Sequence, residues 1–379
     1  MYISIEGVSM IGHYIYLTPI LVYGLTACVL QEARSWTVLV GLVIGTATLR
    51  LLEVVWSINR LRYGEGRRRK FPPKFGSHPK SSPHWKLDES LQYEWGCVSE
   101  PKVYYQSFIP RNPKAILISI HGYADHSDYR MHEISHELAL KGDMICVAID
   151  QPSFGRSDGL WGYIPDWFQH VHVCAKAIKL IAKKLTKKEF SNLPIFAYGH
   201  SMGGGVVICL SVLYPSLFTG IVMTGPMCGL NPDLKYNPRI EKFFAFLAGW
   251  LPKLPLTPVP DLSRLCYKSG KFYRQERQKN RLAYPLKPRL GTALSMLEAQ
   301  AWIGSNAKRV TIPFLILHGD TDLVTSSRSS LQFVENVGSH DKEFDLVKGG
   351  YHIMMGYGLE PAISKYVYKR VIEWIHQRI

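Results

Sequence analysis

Short apolar runs alternate with amphipathic stretches over most of the chain. AILISI (115–120), MICVAI (144–149), PIFAY (194–198), GIVMTG (220–225), PFLILH (313–318) and EFDLV (343–347) each end in turn residues. Runs of this length, rich in Ile, Val and Phe, suit strands buried on both faces. Helical periodicity fills the intervals, at 128–141, 166–187, 202–213, 325–337 and 361–378. Ahead of them, 93–98 and 103–108 read as a hairpin. The alternation predicts an α/β fold, with a mostly parallel sheet and helices on both faces. One stretch breaks the rhythm: 226–307 is long, punctuated by proline and helical in pattern, and reads as an insertion above the sheet.

Before this domain the pattern changes. Residues 9–30, SMIGHYIYLTPILVYGLTACVL, carry no formal charge and are long enough to cross a bilayer as a helix, which takes about 20 residues. A polar break follows, then a second apolar run at 36–56. Arg50 and Glu53, one helical turn apart in that run, could pair and snorkel to the interface. The expectation is a membrane hairpin over 1–56. One crossing plus an interfacial helix, or a buried hairpin in a soluble domain, are the alternatives. A cleaved leader is not expected, because the residues before Ile11 include Glu6 and no Lys or Arg.

Residues 57–88 read as a linker rich in Arg, Lys, Pro, Gly and Ser, and 89–379 as the α/β domain. Arg60, Arg62, Arg67, Arg68, Arg69, Lys70 and Lys74 place that side of the membrane in the cytosol and would attract anionic lipid. The net charge of +15 across 379 residues fits an anionic partner. A membrane surface suits the pattern better than nucleic acid, since the basic run is short, adjoins an apolar hairpin and belongs to no recognisable nucleic-acid-binding fold. Seven scattered cysteines and the absence of any Asn-x-Ser/Thr agree with a cytosolic domain.

The candidate chemistry gathers where strands end. Gly199-His200-Ser201-Met202-Gly203 lies between a strand and a helix, the setting of a nucleophile elbow. The turn is tight enough to need glycine on either side, and it would present Ser201 at a helix N-terminus. A serine hydroxyl needs a base and an orienting acid to react at neutral pH. In an α/β-hydrolase these follow in the order acid, then histidine. Strand 313–318 leads into Gly319-Asp320-Thr321-Asp322, and strand 343–347 leads into Tyr351-His352. His352 is the candidate base, and Asp320 and Asp322 compete for the acid. The oxyanion of an acyl-transfer intermediate needs two N–H donors. Met202, after the serine, and Tyr123, in the loop after strand 115–120, are the candidates.

These motifs together resemble the monoacylglycerol lipase family, a group of serine hydrolases that also holds lysophospholipases and plant esterases. The likeness runs from about residue 93 to 375. It is carried by His121-Gly122 with His126-Ser127, Asp150 to Gly159, Gly199 to Gly204, Gly225 to Cys228, Pro313 to Val324, and Tyr351-His352. The resemblance implies an α/β-hydrolase with a helical cap after the sixth strand, which falls on 226–307. It implies that Asp322, closing G-x-x-D, is the acid. It also implies a lipid ester substrate such as monoacylglycerol and no metal or organic cofactor. Lysophospholipid cleavage and acyl transfer use the same triad and stay open. Tyr123 and Asp125 are bulkier than the family's usual residues in that loop, and the N-terminal hairpin lies outside its pattern.

Within the cap, Ile240, Phe243, Phe244, Leu247 and Leu251 recur at helical spacing beside Phe246 and Trp250. Such a helix could line an acyl pocket, dip into a bilayer, or simply pack on the core. A competing motif is His132-Glu133-Ile134-Ser135-His136, which matches the H-E-x-x-H of a zinc protease. No third ligand follows at a familiar spacing. A membrane scaffold without activity is the remaining alternative.

Overall fold

The computed structural model describes residues 40–41, 43–48 and 51, and then 88–379 apart from 187–189, 191, 236, 270–279, 281 and 357–358. The chain divides into two units, residues 1–64 and 65–379. In the first, the described residues are helical. Val43, Ile44 and Leu51 among them are exposed. Among the described residues no helix is long and apolar enough to cross a membrane. Most of the expected hairpin over 1–56, and all of the expected linker but Asp88, lie outside the described residues.

The second unit is an eight-stranded sheet. Its strands are β1 (Leu91–Val98), β2 (Val103–Pro110), β3 (Ala115–Ile120), β4 (Met144–Ile149), β5 (Ile195–His200), β6 (Gly220–Thr224), β7 (Phe314–Gly319) and β8 (Lys342–Val347), in the order β1-β2-β4-β3-β5-β6-β7-β8. Only β2 runs against its neighbours; the pairs from β4 to β8 are parallel. Several strands extend beyond the apolar runs in the sequence, because pairing rather than hydropathy sets their ends. Gly199 and His200 continue β5 by pairing with Met223 and Thr224, and Gly319 continues β7 against Val347.

Helices α1 (Arg130–Gly142) and α2 (Trp167–Thr186) follow β3 and β4. Helix α3 (Met202–Leu213) follows β5, and α4 (Pro238–Trp250) and α5 (Leu290–Asn306) lie in the segment between β6 and β7. Helices α6 (Ser327–Asn336) and α7 (Pro361–His376) flank β8. The period of two along each strand sorts the core into two layers. Ile116, Ile118, Ile120, Ile145 and Val147 face Val171, Ile178 and Val206 of α2 and α3. Leu117, Met144, Cys146 and Ala148 face Ile134 and Leu138 of α1 and Val371 and Trp374 of α7.

The insertion at 226–307 is helical as the pattern predicts. It holds a 3-10 turn at Pro232–Leu234, α4, a single turn at Leu262–Leu265 and α5, and no strand among the described residues beyond an isolated bridge from Leu230 to Thr325. Asn237 caps α4, accepting from Arg239 N at 2.9 Å, and Pro238 occupies its first turn, where a missing N–H does no harm. The insertion is stitched to the loops above the sheet. Tyr284 N donates to Ala124 O at 2.8 Å, Arg289 Nε to Trp161 O at 2.9 Å, and Thr292 Oγ1 to Gly162 O at 3.0 Å.

Candidate active site

Ser201 sits between β5 and α3 with φ 53° and ψ −117°, a conformation in which a residue with a Cβ is strained. Its neighbours hold it there. Ser201 N donates to Thr224 O at 3.1 Å, and Ser201 O accepts from Gly204 N and Met227 N, both at 3.0 Å. The glycines around it are required by close approach. A Cβ on Gly199 would lie 2.6 Å from Gly203 O, and one on Gly203 would run into the Ile120 and His121 carbonyl oxygens. The glycine next to His121 matters in the same way, since a Cβ on Gly122 would come 3.2 Å from Ser201 Cβ. The loop after β3 therefore passes directly against the serine.

His352 and Asp322 meet at the ends of β8 and β7. His352 Nδ1 lies 2.7 Å from Asp322 Oδ2, and both side chains are buried. Asp322 Oδ1 accepts from Val324 N at 2.8 Å and Thr325 N at 2.9 Å. Oδ2 also accepts from Thr325 Oγ1 at 2.8 Å. Burial by itself would raise the Asp322 carboxyl, but the facing imidazoles of His352 and His318 outweigh it and hold the group well below the usual carboxylate range. The site therefore carries a buried carboxylate fixed as the anion, with an imidazole bonded to it through Nδ1. With that nitrogen committed, Nε2 is the one left to take a proton.

The serine and this pair come together across the end of β6. Thr224 accepts from Ser201 N, and the next residue, Gly225, has φ 48°. A Cβ on Gly225 would lie 3.1 Å from Asp322 Oδ2 and 3.2 Å from His352 Nδ1. The His200 ring, adjacent to Ser201, has its centroid 4.8 Å from that of His352. Burial and the neighbouring His352 push His200 down to about 3, so it is neutral at physiological pH.

Asp320 takes no part in this pair. It is exposed and accepts from Gly349 N at 2.7 Å, tying the β7 loop to the β8 loop. Of the two carboxylates left open by the spacing, only Asp322 reaches His352. The backbone N–H groups of Tyr123 and Met202 lie on the two segments that touch Ser201, and among the described residues neither donates to another group. The Tyr123 ring packs edge-on against Phe154 and Tyr284, with centroids 5.6 and 6.1 Å away.

Residues quoted in the sequence motifs without a role turn out to brace this loop. Asp150 accepts from Ser127 N and Arg156 N, both at 2.6 Å. Gln151 N donates to His121 Nε2 at 3.0 Å, Gln151 Nε2 donates to His121 O at 2.6 Å, and Gln151 Oε1 lies 2.9 Å from His170 Nε2. Burial lowers His121 and takes His170 down to about 3. The only sequence signal for these residues was a polar Asp-Gln pair directly after a fully apolar strand.

The H-E-x-x-H histidines serve packing. His132 Nδ1 lies 2.7 Å from Gln106 Oε1, and its ring sits 4.7 Å from that of Phe108. His136 Nε2 accepts from Asp88 N at 3.3 Å. Among the described residues no group of three His, Cys, Asp or Glu side chains is arranged to hold a metal ion. In the cap, the outward face of α4 leaves Phe243 56%, Phe246 65% and Trp250 76% exposed, so packing on the core does not account for them.

The chain is similar to known proteins in sequence and in fold. The profile of the serine aminopeptidase, S33 family matches residues 111–357. Monoglyceride lipase of Mus musculus is 28% identical over 276 residues, covering 70% of this chain and 84% of the lipase. Caffeoylshikimate esterase of Arabidopsis thaliana is also 28% identical, over 288 residues, covering 73% and 83%. The crystal structure of a soluble variant of monoglyceride lipase from Saccharomyces cerevisiae, in complex with a substrate analogue, superposes with a TM-score of 0.65 at 18% identity, covering 78% of this chain and 98% of that one. At that identity the superposition speaks to the fold.

Proposed function

Since the chain belongs to the serine aminopeptidase, S33 family of α/β-hydrolases, we propose that it cleaves carboxylic esters of monoacylglycerol or a similar single-chain lipid through an acyl-serine intermediate. The observation that carries the reading is the buried His352–Asp322 pair, 2.7 Å apart, set beside the strained Ser201 across Thr224 and Gly225. The relatives supply the substrate class, since they are named as lipases and esterases.

In this reading His352 Nε2 takes the proton from Ser201 Oγ as the oxygen attacks the ester carbonyl. The carbonyl oxygen becomes an oxyanion and accepts from Tyr123 N and Met202 N, aided by the N-terminus of α3. Collapse breaks the bond to the alcohol, which leaves with the proton from His352. Water then attacks the acyl-serine by the same route in reverse roles, releasing the fatty acid and restoring Ser201. Asp322 holds His352 in the required tautomer and stabilises its charged form.

The same reading extends to the membrane. Residues 1–56 would anchor the chain, the basic stretch 57–88 would lie against anionic headgroups, and the hydrolase unit would face the cytosol. The apolar runs at 9–30 and 36–56 and the exposed aromatic face of α4 support it. Protease protection in sealed microsomes tests it: the hydrolase unit should be digested, and full protection would reverse the orientation.

The test of function is a turnover panel of monoacylglycerols, lysophospholipids, short aryl esters and aminoacyl anilides, using full-length protein in detergent. Monoacylglycerol should be preferred, and chelator should leave the rate unchanged. A preference for the anilides, or loss of activity with chelator, would overturn the proposal.

A further inference from the structure

Asp322 has a second imidazole on it. His318 lies at the end of β7, one residue before the strand stops, and its side chain is wholly buried. The four residues before it, Phe314 to Leu317, are all apolar. A buried imidazole in such a strand carries a desolvation penalty that a leucine would avoid, so its partners matter. His318 Nε2 lies 3.2 Å from Asp322 Oδ2, the same oxygen that faces His352 Nδ1. Its other nitrogen, Nδ1, lies 3.0 Å from Ser330 Oγ on α6.

The surroundings fix which nitrogen carries the proton. Nε2 faces three oxygens, Asp322 Oδ2, Thr325 Oγ1 at 3.3 Å and Thr325 O at 3.4 Å. Two of these can only accept, so Nε2 is the donor. Nδ1 then accepts from the Ser330 hydroxyl. Thr325 does not make His318 redundant. Its hydroxyl has one proton and two acceptors in reach, Asp322 Oδ2 at 2.8 Å and Gly225 O at 3.1 Å. Whenever that proton goes to Gly225 O, the donors left on Oδ2 are the two histidines.

We propose that His318 is a positioning residue for the candidate acid: anchored by Ser330, it donates to Asp322 Oδ2, fixes the direction of that oxygen and shares its charge with His352. The proposal rests on the serine-triad reading above. It adds to that reading a relay from Ser330 through His318 to Asp322, with two imidazoles on one carboxylate oxygen.

The relay has a readout that simple packing lacks. With one donor fewer, Oδ2 concentrates more negative charge, which favours the charged form of His352 and keeps it from acting as a base until higher pH. In His318→Leu the acid limb of the kcat/KM profile on a short aryl ester should move up by about half to one pH unit. The loosened carboxylate should lower kcat roughly tenfold with KM little changed. His318→Gln, whose amide can donate from near the Nε2 position, should return the limb and most of kcat.

A folded His318→Leu protein with the parent kcat and acid limb overturns the proposal. So does an equal loss in both variants with the limb in place, which would mean packing alone. If His318→Leu does not fold, Ser330→Ala carries the test, since it frees the anchoring nitrogen: an upward shift of the limb supports the relay and an unmoved limb overturns it. Ser201→Ala run beside them separates the two readings. Turnover near the parent rate there sinks the triad itself, whereas a Ser201→Ala reduced to trace turnover beside a parent-like His318→Leu sinks only the relay.

Discussion

Ser201 and Gly203 make opposite demands on one turn. The serine must keep its side chain at φ 53°, and the glycine must have none, because a Cβ there meets the Ile120 and His121 carbonyl oxygens. Gly203→Ala should therefore destabilise the fold by about 1–3 kcal/mol in urea unfolding and abolish turnover by displacing the elbow; parent-like stability and rate would show that the turn is less tight than described. The two carboxylates that the spacing left in competition can be separated the same way. Asp322→Asn should lower kcat by about ten-thousandfold, because the amide favours the wrong His352 tautomer. Asp320→Asn, whose amide oxygen can still accept from Gly349 N on the surface, should keep most of the rate. The reverse result would reassign the acid. At this scale Ser201, His352 and the Asp320/Asp322 pair were legible, since each stands just past an apolar strand. His318 stands in the same run but carries no such signal, because its meaning depends on Ser330, twelve residues on, and on burial that no local pattern states. His132 and His136 mislead for the converse reason: their spacing imitates a metal motif while their partners are Gln106 and Asp88.

Strands and helices were easier to read than single side chains. The apolar runs at 115–120 and 144–149 are strands β3 and β4 with the same limits, and 202–213 is α3. Where ends differ, a partner strand or a special backbone angle decides. Helix α1 starts at Arg130 rather than 128, just after Tyr129 at φ 59°. Cap helix α4 showed its apolar face in the sequence, but whether that face is covered was open until Phe243, Phe246 and Trp250 proved exposed. Replacing Phe243 and Phe246 with glutamine should weaken sedimentation with anionic phospholipid vesicles and lower the rate on vesicle-borne monoacylglycerol. Turnover of a soluble aryl ester should hold within about twofold, as surface substitutions usually leave the core intact. Equal loss on both substrates would place these rings in the acyl pocket instead.

Across the whole molecule, buried neutral histidines link stability to pH. His121 lies below its ordinary value and His170 at about 3, both through burial. Below about pH 6.5 an unfolded imidazole takes up a proton that these two native side chains refuse. Stability should therefore be full above pH 6.5 and fall as pH drops toward 3, by about 1 kcal/mol per pH unit from His170, with His121 acting in the same direction. Urea unfolding at pH 7.0, 6.0 and 5.0 reads this slope, and His170→Gln should make it shallower; a flat profile would contradict the buried-neutral assignment. The fold class and the order of the site were legible at this scale because strand–helix alternation admits few topologies. Adduct mapping reads whether Ser201 is the nucleophile. After treatment with a fluorophosphonate, the digested protein should carry the adduct on the peptide containing Ser201, in step with the loss of esterase activity. An adduct on any other residue, or full activity with Ser201 modified, would rule Ser201 out as the nucleophile.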